Sequence, residues 1–243
     1  DLIKMRIIGH RGARGEAPEN TLGGFRYLHD LGICAVEFDV RQLKDDQLVV
    51  IHDDDFVRTT GKSQHVENCN LSEAQQFDHR HQWQAWGFEE YTPSLPHVMD
   101  CLTDFEHIEV EIKAVADEVA AERLILQLHQ DLVGFEQTAT ITSFDVKILA
   151  ALQQHQSHFK RGLLVEIPIG EYAIELAQQY ECHQIGWKDQ LATDQIIQFT
   201  QQAELAVSVW TVNDVERAKH LQQLGIQGLI TDFPSTMLQH LTL

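Results

Sequence analysis

Alternation of hydrophobic and polar positions is clearest over residues 34–54, CAVEFDVRQLKDDQLVVIHDD. From Val36 to Arg41 apolar and charged residues alternate, which is the two-residue period of a β-strand with one apolar and one polar face. A second segment rich in Val and Ile follows over residues 48–52, after a polar turn that contains two Asp. The pattern therefore predicts a β-hairpin.

The predicted hairpin brings ionisable side chains together. Glu37 and Asp39 lie on the polar face of the first strand, and a two-residue turn would place His52 directly opposite Asp39. Two carboxylates about 4 Å apart repel each other by roughly 4 kcal/mol at an effective dielectric constant near 20, so a positive charge is expected between them. A solvated strand face has the same alternation, so the hairpin alone leaves both interpretations open.

Strand and helix patterns alternate along the rest of the chain. Residues 6–10 predict a buried strand that ends at His10, and residues 21–30 predict a helix with Asn20 as its N-cap. Residues 54–93 are more polar, with a short helical pattern over 72–82, and are predicted to form an insertion or lid. Later strands are predicted over residues 107–113, 138–143, 161–166, 183–187, 205–212 and 228–232, with a helix cap at Asn213 and Glu216.

The number and order of these segments indicate the fold class. Removing the return strand of the hairpin from the nine strand-like segments leaves eight that alternate with helices, over a length of 243 residues. This pattern is typical of an α/β protein with a (β/α)8 TIM barrel, here with a small insertion after the second-strand hairpin. We expect one catalytic domain over residues 1–243; an open doubly wound sheet would show the same periodicity.

Composition and charge limit the classes of partner and location. The chain carries 18 basic and 37 acidic residues, and its net charge of -19 disfavours nucleic acid and stable association with anionic membranes. The longest apolar runs are too short to span a membrane, and residues 1–10 lack the apolar core of a signal peptide. A cytoplasmic location is therefore expected, although numbering from Asp1 leaves room for a removed leader. The sequence carries no readable sign of its oligomeric state.

Cysteine spacing argues against a zinc or disulfide framework. Cys34, Cys69, Cys101 and Cys182 form no Cys-x-x-Cys pair, and Cys34 lies in an apolar strand. Buried free thiols in a reducing compartment are therefore expected.

A third source of carboxylates follows in the strand over residues 107–113. Glu109, Glu111 and Lys113 share its polar face. Carboxylates without cysteine make an oxygen-ligand site, which suits Mg²⁺, Ca²⁺ or Mn²⁺ better than Zn²⁺. The residues alone favour a metal site over a surface salt network. His79 and His81, within the insertion, are weaker candidates for metal ligands.

Six motifs resemble those of the glycerophosphodiester phosphodiesterases, in the same order and over almost the whole chain. They are HRGARGEAPENT (10–21), EFD (37–39), VVIHDD (49–54), EVEIK (109–113), WTVND (210–214) and GLITDFP (228–234). The resemblance implies a (β/α)8 barrel that hydrolyses glycerophosphodiesters, such as glycerophosphocholine or glycerophosphoethanolamine, to glycerol 3-phosphate and an alcohol.

The same resemblance assigns roles to individual residues. It implies His10 and His52 as the acid–base pair, Glu37, Asp39 and Glu111 as ligands of one divalent cation, Arg11 and Lys113 as contacts of the phosphate oxygens, and Trp210 as the lining of the glycerol end. The cation is expected to be Mg²⁺ or Ca²⁺, with Mn²⁺ as a further candidate. The partner is a small glycerophosphodiester.

The chemistry of a phosphodiester is consistent with these roles but leaves alternatives. Cations neutralise the charge on the phosphate oxygens, and two groups that titrate near neutrality deprotonate the nucleophile and protonate the leaving alcohol. Which histidine is the acid stays open, as does attack by water or by the neighbouring glycerol hydroxyl through a cyclic phosphate. The rival functions are a sphingomyelinase D-type phospholipase that acts on intact or lyso lipids, and a barrel that only binds its ligand. Asp53 is expected to orient a neighbour or to close the loop. Asp232 lies at a strand end, where the chemistry of a barrel gathers, and its alternative role is to shape the last loop.

Overall fold

Eight parallel strands close into a barrel in the computed structural model, which describes residues 4–243. The barrel strands are β1 (Arg6–His10), β2 (Ala35–Gln42), β4 (His107–Ile112), β5 (Ala139–Ser143), β6 (Lys160–Val165), β7 (Gln184–Lys188), β8 (Ala206–Trp210) and β9 (Gly228–Thr231). Gly9 in β1 pairs with Val36 in β2 on one side and with Thr231 in β9 on the other, which closes the ring. The predicted (β/α)8 TIM barrel is confirmed.

Helices surround the barrel and bury their apolar faces against it. They are α1 (Leu22–Asp30), α2 (Val57–Thr60), α3 (Leu71–Ala74), α4 (Leu95–Cys101), α5 (Glu118–Asp131), α6 (Val146–Gln154), α7 (Tyr172–Gln179), α8 (Asp194–Gln202), α9 (Val215–Gln223) and α10 (Pro234–His240). Thr21 caps α1 and Asp214 caps α9, each by accepting a hydrogen bond from the third residue of the helix. The predicted caps Asn20 and Asn213 are wrong, because both side chains bond to Asp residues at the barrel mouth instead.

The hairpin forms with a different turn and register from those predicted. Strand β3 (Leu48–Val50) pairs antiparallel with β2, with Val40 opposite Val50. The turn contains three residues rather than two, because Asp46 adopts a left-handed conformation with φ of 69°. This shifts the register by one, so Ile51 lies beside Asp39 and its N–H donates to the Asp39 carbonyl. His52 therefore follows the strand instead of pairing with Asp39.

Residues 54–93 form short elements on one side of the barrel. Helices α2 and α3 lie here, with a 3-10 turn at Val66–Asn68 between them. The helix predicted over 72–82 is wrong, because α3 ends at Ala74 and the chain then pairs as a β-bridge between Asp78 and Tyr91. Phe77 packs against Phe56, with ring centroids 4.7 Å apart, in a separate apolar cluster. Tertiary packing thus overrides the local helical pattern; the role of this segment as a lid stays a prediction.

Other expectations from composition can be compared with the described residues. All four cysteines are free thiols, and Cys69 and Cys182 are buried. Among residues 4–243 none of the helices combines the length and the apolar composition required to cross a bilayer. The expectations for a signal peptide and for a domain that starts at residue 1 fall partly on residues 1–3, outside the described residues.

Candidate active site

One cavity of about 460 Å³ opens at the carboxyl ends of the barrel strands. Most of the residues predicted for the site line it: His10, Arg11, Glu37, His52, Glu111, Lys113 and Trp210. Asp39 is completely buried and does not line the cavity, but it forms ion pairs with Arg11 and Lys113, which do. The structure thus brings together all eight predicted side chains, which come from strands or loops far apart in the sequence.

Three carboxylates meet at the carboxyl ends of β2 and β4. Asp39 pairs in register with Glu111, and Glu37 lies two residues earlier on the same face of β2. One oxygen from each of Glu37, Asp39 and Glu111 lies within 4.8 Å of the others, and all three residues are buried. Parallel pairing of two strands therefore creates the cluster without help from any loop.

Burial and mutual repulsion perturb these carboxylates. Burial, followed by the charges of Asp39 and Glu111, raises the pKa of Glu37 well above its usual range. Burial and the charge of Asp39 raise the pKa of Glu111 to about 7, although Lys113 opposes this shift. Burial also disfavours ionisation of Asp39, but Lys113 and Arg11 outweigh it and hold its pKa far below the usual range. Without a bound cation, the three buried carboxylates therefore disfavour one another's ionisation.

The chemistry of this cluster fits a hard divalent cation. Its donors are carboxylate oxygens only, which matches the preference of Mg²⁺ and Ca²⁺. Oε1 of Glu37 is buried and has no hydrogen-bond partner among the described residues. A buried carboxylate oxygen without a partner is costly unless a ligand satisfies it, so the site has an oxygen available for a cation.

His10 lies at the end of β1 and is held by a carboxylate from the opposite end of the chain. Its Nδ1 lies 2.6 Å from Oδ1 of Asp232, directly after β9. Asp232 also accepts from Nδ2 of Asn213 at 2.9 Å. Burial opposes ionisation of Asp232, but the hydrogen bonds from His10 and Asn213 lower its pKa below the ordinary value. With Nδ1 held in this way, Nε2 of His10 lies on the side of Glu37, 3.9 Å from its Oε2.

His52 is held in a similar way by the next residue in the chain. Its Nδ1 lies 2.8 Å from Oδ1 of Asp53, and Asp53 is in turn bound by two nitrogens of Arg58. Burial opposes ionisation, but Arg58 and His52 lower the pKa of Asp53 to about 2. Arg58 continues to the buried Glu19, with Nη1 2.5 Å from Oε1. The expectation that Asp53 orients a neighbour agrees with this contact.

The two predicted phosphate contacts are both tied to acids of the cluster. Lys113 donates to Glu111 at 2.9 Å and to Asp39 at 3.4 Å. Arg11 has a left-handed backbone conformation, and its guanidinium donates to Glu19 at 3.0 Å and lies 3.3 Å from Asp39. The positively charged groups of Lys113 and Arg11 are therefore fixed at the edge of the cavity, where a phosphate can approach them.

An aromatic wall faces the charged half of the cavity. Nε1 of Trp210 donates to the Gly186 carbonyl, and its ring meets Phe144 edge-on at 5.5 Å between centroids. The ammonium of Lys113 lies 5.9 Å from the centre of the Phe144 ring. Phe144 precedes α6, which begins at Val146, and it lines the cavity together with Leu164.

Asn20 is a site residue that the sequence pattern misassigned. Its backbone is left-handed, with φ of 54°, and its Nδ2 donates to Oδ2 of Asp39 at 3.1 Å. Oδ1 of Asn20 is buried without a partner among the described residues. The available signal was its position in the first motif, close to His10; a helix cap explained an Asn there equally well.

Comparison with known proteins identifies the family. A profile of the Glycerophosphoryl diester phosphodiesterase family matches residues 10–236, a range that includes every residue predicted for the site. The chain belongs to this family. The predictions of the family and of its enzyme class, a phosphoric diester hydrolase, are confirmed.

Individual relatives and one solved structure extend this result. The glycerophosphodiester phosphodiesterase of Caldanaerobacter subterraneus subsp. tengcongensis is 28% identical over 242 residues, which cover 97% of each chain. Lysophospholipase D GDPD1 of Homo sapiens is 25% identical over 264 residues, which cover 95% of this chain and 84% of that protein. The structure of an Oleispira antarctica phosphodiesterase in complex with the product sn-glycerol-3-phosphate matches with a TM-score of 0.88 at 24% identity and covers 98% of this chain and 96% of that one. This chain and the Oleispira antarctica enzyme therefore share the same barrel fold.

His79 and His81, the histidines of the insertion predicted as weaker metal ligands, do not line the active-site cavity. His79 is buried between two hydroxyls, with Nδ1 2.9 Å from Thr59 and Nε2 2.6 Å from Thr92. Burial lowers its pKa to about 4. Both ring nitrogens are thus occupied by structural hydrogen bonds, and the groups that could hold a metal ion within residues 4–243 include neither His79 nor His81.

Proposed function

We propose that this chain hydrolyses glycerophosphodiesters to glycerol 3-phosphate and an alcohol, with a divalent cation as cofactor. The observation that carries the proposal is the convergence of three buried carboxylates and two carboxylate-bound histidines on one cavity. Family membership supports the same reaction, and so does the related Oleispira antarctica structure, whose complex contains sn-glycerol-3-phosphate.

The carboxylate cluster is the proposed cation site. Glu37, Asp39 and Glu111 would hold the ion, and Asn20 and Lys113 fix the orientation of the Asp39 carboxylate. When bound, the ion supplies positive charge that neutralises the phosphate oxygens and orients the ester. Three acids, water and substrate oxygens suit either Mg²⁺ or Ca²⁺.

The two histidines are proposed to transfer protons at the two ester oxygens. Asp232 and Asp53 accept from Nδ1 of His10 and His52 respectively, so Nε2 of each ring is the nitrogen free to act in the cavity. A neutral ring can take a proton from the nucleophile, and a protonated ring can give one to the leaving alcohol. Arg11 and Lys113 would meanwhile hold the unesterified phosphate oxygens.

Release of glycerol 3-phosphate tests the proposal. A coupled assay across choline, ethanolamine and glycerol diesters should detect product with Mg²⁺ or Ca²⁺ and lose it after chelation. Recovery on adding back the cation, together with a His10→Asn variant at least about a hundredfold less active, would assign the product to this site. Full activity after chelation would contradict the cation, and absence of product from every diester would contradict the function.

Lysophospholipids are the second candidate substrates. The human relative is named lysophospholipase D, and a separate cavity of about 740 Å³ has a largely apolar lining that includes Tyr27, Trp86 and Phe88. Phe88 exposes 78% of its surface, as an aromatic residue in contact with lipid would. Choline release from lysophosphatidylcholine above that from glycerophosphocholine would favour this candidate.

A further inference from the structure

A second cavity adjoins the candidate active site on its outer side. This outer groove has a volume of about 350 Å³ and is lined by residues of β2, of the insertion and of the segment from Lys113 to Leu124. It shares three lining residues with the catalytic cavity, namely Arg41, Lys113 and Ala114. A ligand whose phosphate lies beside Lys113 can therefore extend from one cavity into the other.

Arg41 lies at the junction of the two cavities. Its Nε donates to the backbone carbonyl of His52 at 2.8 Å, which fixes the guanidinium next to the candidate acid–base residue. Its two terminal nitrogens donate to no other residue within the described chain and so remain free for a ligand. In contrast, Arg11 and Lys113 are both engaged by acids. Arg41 is thus suited to hold a phosphodiester at the entrance of the outer groove.

Two acids of the insertion also line the outer groove. Asp54 and Glu67 are exposed in the groove, and neither carboxylate has an ion pair or hydrogen bond among residues 4–243. Arg123, another cationic side chain of the lining, is already paired with Asp46. These two acids therefore add negative charge to the groove, where Arg41 is near enough to attract Asp54 without forming an ion pair with it. The largely buried side chains of Val66 and Leu124 complete this part of the lining.

We propose that the outer groove binds the alcohol part of the substrate and favours alcohols that carry a positive charge. A quaternary or primary ammonium on a short alkyl chain matches this lining, because its charge would face Asp54 and Glu67 while its methyl or methylene groups contact Val66 and Leu124. This proposal rests on the proposed phosphodiesterase function. The glycerol 3-phosphate part would then occupy the catalytic cavity, beside Trp210.

Substrate preference in a charge-neutralised variant tests the groove. The double variant Asp54→Asn/Glu67→Gln and the wild type would be compared on glycerophosphocholine and on glycerophosphoglycerol, whose leaving alcohol is neutral, with glycerol 3-phosphate as the readout for both. We expect the ratio of the two kcat/KM values to move against choline by about three- to tenfold, as two exposed charge interactions would give. Higher salt should lower this ratio in the wild type more than in the variant.

A matched control removes the same charge from another side of the barrel. Glu175→Gln/Glu204→Gln alters two exposed acids on the α7 and α8 side and should leave the ratio within about twofold of the wild type. An unchanged ratio in the groove variant, or an equal fall for both substrates, would overturn the groove while leaving the phosphodiesterase function intact. Absence of hydrolysis of either diester by the wild type would overturn both.

Discussion

His10 and Asp232 are 222 positions apart in the chain, yet Nδ1 of the first lies 2.6 Å from Oδ1 of the second. This contact exists because β1 and β9 are neighbours in the closed barrel, with Gly9 paired to Thr231. The pairing of β1 with β9 that closes the barrel therefore also orients a candidate catalytic histidine.

Replacing Asp232 tests whether this contact matters for turnover. An Asp232→Asn variant loses the charge that stabilises a protonated His10 but keeps a side chain of the same size. We expect kcat to fall about tenfold to a hundredfold with KM nearly unchanged, because the substrate contacts are left in place. Steady-state kinetics of glycerol 3-phosphate release measures both constants.

Two comparisons separate orientation from general damage at Asp232. Asp194→Asn breaks an exposed pair with His220, whose Nε2 lies 2.8 Å from the Asp, and should leave kcat unchanged. Asp232→Glu, which restores the charge, should recover part of the lost activity. If kcat falls only in variants whose melting temperature also falls, Asp232 has a structural role instead.

His52 is expected to act in proton transfer without binding the cation. A His52→Asn variant should keep cation affinity within a few fold, since the predicted ligands are carboxylates, but lose at least about a hundredfold in hydrolysis. Calorimetric titration with Mg²⁺ or Ca²⁺ and the product assay measure the two quantities. His158→Asn, an exposed residue between α6 and β6, serves as the control. Unchanged turnover in His52→Asn would remove His52 from the mechanism.

Repulsion among the three carboxylates predicts that Glu37→Gln changes the stability of the fold in opposite directions with and without the cation. Glu37→Gln removes one of three buried acids, and its amide oxygen can still accept the hydrogen bond from the Arg11 N–H. Without cation we expect the variant to be more stable than the wild type by about 1 to 3 kcal/mol. With cation the wild type should gain stability that the variant does not.

Urea unfolding with chelator and with saturating cation measures both effects of Glu37→Gln. Glu109→Gln is the matched control, since Glu109 is buried on the same face of β4 but bonds to Gln184 at 2.8 Å. That control should retain the gain in stability on adding cation. A Glu37→Gln protein stabilised by cation as strongly as the wild type would contradict the proposed ligand set.

The carboxylate cluster could be predicted from sequence because regular strands position it. Glu37 and Asp39 share a face by the two-residue period, and parallel pairing sets Asp39 beside Glu111. The details set by turns could not be predicted in this way. A left-handed Asp46 changed the hairpin register, and a left-handed Asn20 directed its amide to Asp39 instead of to a helix terminus. Single backbone conformations of this kind leave no periodic signal.

The orientation of the histidines shows a second limit of the sequence. Asp53, which follows His52 directly, was expected to orient a neighbour or to close the loop. For Asp232 the sequence left two roles open, at a strand end of the site or in shaping the last loop. Its contact with His10 depends on which strands meet when the barrel closes. Long-range polar contacts follow from topology and register, and the sequence alone left an open sheet in competition with the barrel.

Buried His79 predicts how stability should change in acid. Its folded-state pKa is about 4, below its ordinary value of 6.5, because burial disfavours the charged ring. The unfolded chain therefore binds a proton more readily between these values, so stability is fully retained above pH 6.5 and falls as the pH drops towards 4. The loss over this window from His79 alone is about 3 kcal/mol.

Replacing the ring by a side chain that does not titrate should remove this dependence. His79→Gln can still donate to one of the hydroxyls of Thr59 and Thr92 and accept from the other. It should be less stable than the wild type at pH 7, because its packing is poorer, but should lose about 2 to 3 kcal/mol less on acidification to pH 4.5. Urea unfolding at the two pH values gives both numbers. Parallel losses in the two proteins would mean that acid destabilises the fold through groups other than His79.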